Sequence, residues 1–166
     1  MEALARWEHP DRGVIPPGDF LPAVAALGLE RQLSDTILAG AFDALARWDA
    51  AGHEIGSIGV NFSSFDLADP MLSERIRWEL DRHEVDPARL TVEVLETVIA
   101  DGNDDTVARS IQRLAALGCR IDLDDFGTGH ATIGNIRRFS VGRIKIDRSF
   151  ISRIDTDPDQ QTLVTA

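Results

Sequence analysis

The chain has 166 residues, with 17 Lys plus Arg against 28 Asp plus Glu, a formal net charge of −11, and 43% hydrophobic residues. That describes one globular domain able to bury a core, not a fibre or a disordered tail. The acidic balance argues against a general binder of nucleic-acid backbone, the single Cys119 excludes a disulfide framework, and no apolar run approaches the ~20 residues of a membrane span.

In chain order, short apolar strands alternate with helical patterns. Ala3 to Trp7 reads as the stub of a strand, followed by a Pro/Gly-rich loop from His9 to Gly18 and a short helix from Phe20 to Leu27. Ser34 is a candidate cap for the next helix, which carries Ile37, Leu38, Ala41, Phe42 and Leu45 at helical spacing. Ile55 to Asn61 is the second strand, and Met71 to His83 is a helix with Leu72, Ile76 and Leu80 on one face. Leu90 to Leu95 is the third strand. A helix then starts near Asp105, carries Val107, Ile111, Leu114 and Leu117, and stops at Gly118. Ile121 to Asp124 is the fourth strand, Ala131 to Arg138 a short helix, Arg143 to Ile146 the fifth strand, and a last helix begins near Pro158.

Strands that each precede a helix imply right-handed βαβ units and a parallel sheet, hence an α/β domain. Two architectures fit: an open doubly wound sheet, or part of a (β/α)8 barrel, which normally takes about 250 residues. Length favours the first; the polar residues favour the second.

In either architecture, polar residues at the carboxyl ends of strands face the ligand site. Here those residues are Glu2 and Arg6, four apart on the first strand, then Asn61, then Glu93 and Glu96, then Asp122, Asp124 and Asp125, then Lys145 and Asp147. Acids crowded at one mouth repel one another, and burial raises the cost. Divalent cations with a preference for oxygen ligands, such as Mg²⁺, Mn²⁺ or Ca²⁺, relieve it. Adjacent Asp124 and Asp125 could face two ions, a pair of which would clamp a phosphodiester. Lys145 could orient a water or balance phosphoryl charge, and Arg6 could fork onto a phosphate oxygen. Each residue also has a structural reading. Glu2 and Arg6 could be a solvated pair, Asn61 a loop cap, Asp124-Asp125 turn chemistry, and Lys145 a partner of Asp147 or Asp122. A lone carboxylate such as Glu93 in an apolar strand is harder to explain structurally. His9, His53, His83 and His130 lack metal-motif spacing, though His130 follows the Gly-Thr-Gly loop. Cys119 reads as a core residue.

In order, Glu2-Ala3-Leu4 with Arg6-Trp7, Val60-Asn61-Phe62-Ser63, Glu93-Val94-Leu95-Glu96-Thr97, Asp124-Asp125-Phe126-Gly127-Thr128-Gly129 and Ile144-Lys145-Ile146-Asp147 resemble the motifs of the EAL domain, the cyclic di-GMP phosphodiesterase family of bacterial signalling. The resemblance implies a TIM-type barrel fold, here about five parallel βα units. It further implies a single partial domain over residues 1–166 that lacks the first strand and the last βα units. By that pattern Glu2, Asn61, Glu93 and Asp124 would hold one Mg²⁺ or Mn²⁺ ion and Asp125 a second. Lys145 would position the attacking water, with Glu2, Asp124 and Asp125 completing the catalytic set. Arg6 would contact substrate phosphate, and Glu96 would brace the loop from Phe126 to about Ile133. The implied activity is metal-dependent hydrolysis of cyclic di-GMP to linear pGpG by a cytoplasmic homodimer, with no DNA, RNA or membrane partner in this segment. The alternative is a catalytically incomplete module that binds cyclic di-GMP, or a protein partner, as a sensor.

Overall fold

The computed structural model describes residues 1–100, 105–127 and 133–165. The chain enters through β1 (Glu2–Ala3) and then forms an antiparallel hairpin, β2 (Trp7–His9) with β3 (Gly13–Ile15). Helices α1 (Pro17–Ala26) and α2 (Glu30–Ala50) lead to β4 (Ile58–Asn61). After α3 (Ser64–Ala68) and α4 (Leu72–Arg82) come β5 (Leu90–Leu95), α5 (Glu96–Ala100) and α6 (Asp105–Leu117). Then β6 (Arg120–Phe126), α7 (Ile133–Arg138), β7 (Arg143–Ile146) and α8 (Pro158–Thr165) complete the order.

The sheet is parallel, in the order β1-β4-β5-β6-β7. Its strands follow chain order without a reversal, whereas a doubly wound sheet reverses at a switch point. Curvature agrees with the barrel alternative. Glu2 on one outer strand and Lys145 on the other meet at 3.6 Å, although four interstrand steps of about 4.8 Å would set those strands about 19 Å apart in a flat sheet. The molecule is a five-strand arc of a β/α barrel.

One face of the arc packs on helices. Ile58, Val60, Leu90, Val92, Val94, Ile121 and Leu123 join a single buried cluster with Phe42 and Leu45 of α2, Ile76 and Leu80 of α4, and Ile111 and Leu114 of α6. The helical residues recur at i, i+3/i+4, which is why these segments are helices and why that stripe is buried. Gly118, at φ +109, ends α6 in a conformation costly for other residues, and the Cys119 N–H closes back on the Leu114 carbonyl at 3.1 Å. Cys119 is buried, as expected, and burial pushes its thiol up to about 12.

Three expectations are corrected. The first strand ends at Ala3, because the chain turns away into the hairpin around Pro10 to Gly13, which the sequence presented only as a loop. Glu2 and Arg6 are therefore not i, i+4 neighbours on one strand. Ser34 does not cap a helix: α2 already runs from Glu30, and the Ser34 hydroxyl donates to buried Asp66 at 2.5 Å. Asp66 also takes the Ser63 backbone N–H, closing the capping box that starts α3. The second strand begins at Ile58 rather than Ile55.

Candidate active site

Side chains alternate along strands, so the residues between the core positions point to the other face of the arc. That face carries Gly59 and Asn61 of β4, Thr91 and Glu93 of β5, Asp122 and Asp124 of β6, and Arg143 and Lys145 of β7. Parallel register sets Asn61, Glu93, Asp122 and Arg143 in one row, with Asp124 a layer nearer the strand ends, opposite Leu95.

Lys145 organises the upper layer. Its Nζ lies 2.6 Å from Glu93, 3.3 Å from Asp124 and 3.6 Å from Glu2. Oxygens of Glu2, Glu93 and Asp124 all come within 4.8 Å of one another. The Asn61 side-chain amide donates to Glu2 at 2.9 Å, holding the edge-strand carboxylate over the cluster. Glu93 is 3% exposed. Burial pushes its carboxyl above the ordinary range, against the bond and charge of Lys145, while Glu2 and Asp124 push it further up. Burial alone would lower Lys145, but its bond to Glu93 and the surrounding carboxylates outweigh that and raise it, so it remains an ammonium. One ammonium balances one of three carboxylates. An all-oxygen donor set with excess negative charge fits a hard divalent cation.

In the same row as Glu93, Asp122 is buried and takes the Arg143 guanidinium, Nε to Oδ2 being 2.8 Å. Of the structural partners foreseen for Lys145, neither holds: Asp122 is taken by Arg143, and Asp147 accepts from the Ser149 backbone N–H. Asp125 lies outside the three-carboxylate group. It sits at φ +53 where the β6–β7 register shifts, a bulge that re-aims consecutive side chains. Its carboxyl is raised by burial and by the charges of Asp124 and Asp147. Glu96, 2% exposed at the start of α5, accepts the Gly127 N–H at 2.7 Å. The loop that it was expected to brace continues through residues 128–132, which, His130 included, lie outside the described residues. Arg6 stands apart from the cluster, its guanidinium donating to the Ala5 carbonyl at 2.7 Å. It lines, with Glu2, an apolar groove of about 730 Å³ beside Trp7, Phe20, Ile37 and Trp48. Gly59 was not singled out from the sequence; a lone glycine inside an apolar strand was the available signal.

A family model described as the EAL domain matches residues 1–166. The bifunctional diguanylate cyclase/cyclic di-GMP phosphodiesterase MucR of Pseudomonas aeruginosa is 37% identical over 167 residues, covering 100% of this chain and 24% of that protein. The cyclic di-GMP phosphodiesterase PdeR of Escherichia coli is 32% identical over 166 residues, covering 100% of this chain and 25% of its own length. The solved PaMucR phosphodiesterase in complex with c-di-GMP matches with a TM-score of 0.88 at 37% identity, over 98% of this chain and 66% of that one. The chain thus spans about a quarter of these curated relatives and about two thirds of the solved phosphodiesterase. Among the described residues no helix is long and apolar enough to cross a membrane. The chain belongs to the EAL domain family.

Proposed function

We propose that this EAL-family chain hydrolyses cyclic di-GMP to linear pGpG with Mg²⁺ or Mn²⁺ as cofactor. The carrying observation is the convergence of Glu2, Glu93 and Asp124, from three different strands, on one point beside Lys145. The names of MucR and PdeR supply the substrate.

Glu2, Asn61, Glu93 and Asp124 would hold one ion and Asp125 a second. When bound, such ions act as Lewis acids toward phosphodiester oxygens and favour ionisation of water. The protein's own part is electrostatic and positional. Lys145, held as an ammonium on a half-buried stem, orients the attacking water and offsets charge that builds on the phosphoryl oxygens. Asn61 fixes Glu2, which otherwise hangs from a two-residue edge strand. Glu96 holds the chain just past Asp125 through the Gly127 N–H. Arg6, from the groove that it lines with Glu2, takes a non-reacting phosphate oxygen. In the same reading the reaction is cytoplasmic, as its dinucleotide substrate suggests, and the working unit is a homodimer.

Incubation with cyclic di-GMP and either ion, followed by chromatography, tests the reading. Linear product from the wild type and none from Glu2→Ala or Asp124→Ala is expected. A wild type indistinguishable from both variants overturns it, and tight calorimetric binding without product favours the sensor alternative.

A further inference from the structure

Gly59 lies inside β4, and its φ is outside the left-handed region, so the backbone there does not require glycine. Glycine in a strand sacrifices packing and chain entropy. The reason for it here is lateral. A Cβ on Gly59 would lie 2.1 Å from Oε1 of Glu93, 2.8 Å from its Cδ and 3.4 Å from its Cγ, and these are the three nearest atoms. In the sheet register, however, Gly59 pairs with Glu2 and Thr91, whereas Glu93 pairs with Asn61. The Glu93 side chain therefore leans off its own row and lies over the bare backbone of β4, beside the strand that carries Glu2. From that position its other oxygen reaches Lys145 at 2.6 Å.

We propose that Gly59 is a positioning residue: the side chain it lacks is the slot that holds the Glu93 carboxylate among Glu2, Asp124 and Lys145. The inference rests on the divalent-ion reading of that cluster. Any larger residue at 59 displaces the carboxylate by more than about 1 Å to regain normal van der Waals separation. Glu93 is 3% exposed and flanked in its row by Asn61 and Asp122, so it has little room to yield without leaving the cluster.

The test is a double-mutant cycle on Mn²⁺ binding without substrate, by calorimetry or paramagnetic resonance, with thermal melting of each variant. Gly59→Ala is expected to weaken Mn²⁺ by about tenfold or more, the range seen when ligand-orienting neighbours are altered. In a Glu93→Asp background, where the shorter side chain no longer overlies residue 59, the same change is expected to cost less than about twofold. No loss in the first background, or equal loss in both, overturns the proposal. If Gly59→Ala alone does not fold, a Gly59→Ala/Glu93→Asp chain that folds and binds supports it, and one that also fails to fold overturns it. Cyclic di-GMP turnover measured in parallel separates the two readings. A wild type that binds Mn²⁺ but leaves the dinucleotide intact, with the coupling present, removes the phosphodiesterase reading and leaves the role of Gly59 standing.

Discussion

On the helix side of the parallel sheet, Ile58, Val60, Leu90, Val92, Val94, Ile121 and Leu123 are at most 3% exposed and belong to one apolar core cluster. On the opposite side the same strands present Gly59, Asn61, Thr91, Glu93, Asp122 and Asp124. Thr91, Glu93 and Asp122 are buried as deeply as the valines. Apolar burial on the first side is favourable in itself, at roughly 25 cal/mol per Å². Carboxylate burial on the second side is unfavourable unless each charge finds a partner. Within single strands, then, one face supplies the folding energy and the other consumes part of it to keep acids close together. The difference predicts that changes on the two faces will have opposite signatures, stability on one and chemistry on the other.

The largest effect is expected from Asp124→Ala, a loss of about 10²–10³-fold or more in turnover of cyclic di-GMP, with little change in melting temperature in the absence of metal. A large drop in melting temperature would erase the contrast between the faces. Leu123→Ala, one residue away on the core side, should cost about 2–5 kcal/mol in urea denaturation and leave turnover per folded molecule within about twofold. Arg143→Ala leaves Asp122 buried without its cation. Since Arg143 itself is 62% exposed, the cost is reduced by solvent screening to about 1–3 kcal/mol. A smaller, pH-dependent effect belongs to Glu93. Its raised pKa means that the folded chain binds this proton more tightly than the unfolded chain does. Its contribution to stability in metal-free buffer therefore falls as pH rises from the ordinary value of 4.5 through the raised one. Urea midpoints for the wild type and Glu93→Gln should diverge across that window in favour of Gln, and parallel curves would show the acid is not strained by burial. Smallest is the thiol: Cys119, pushed up to about 12, should resist alkylation at pH 8 until the chain unfolds.

Much of this organisation is written in local sequence. The core helices are legible because Leu72, Ile76 and Leu80, or Val107, Ile111 and Leu114, repeat with the helical period, and the acid-bearing strands because Glu93 and Asp124 interrupt apolar runs. Less legible is whatever depends on a distant partner. Ser34 carries the signature of a cap but serves Asp66, 32 residues away. The Trp7–Ile15 hairpin has three-residue strands, too short for alternation to show. Arg6 loses its expected neighbour because the chain leaves the sheet after Ala3, which only the hairpin geometry dictates. Gly59 is the clearest case, since its purpose is visible only once Glu93, on the next strand, is seen lying across it. The choice between open sheet and barrel likewise needed the strand order and the spacing of the outermost strands.

The approach of Glu2 to Lys145 has one more implication. They hang from opposite margins of the sheet, and three intervening strands must bend to let them touch. Their separation is thus a ruler for how tightly the sheet is rolled. Anything that unrolls it, from either margin, lengthens the distance between this pair, so shape and charge balance in this domain rise and fall together.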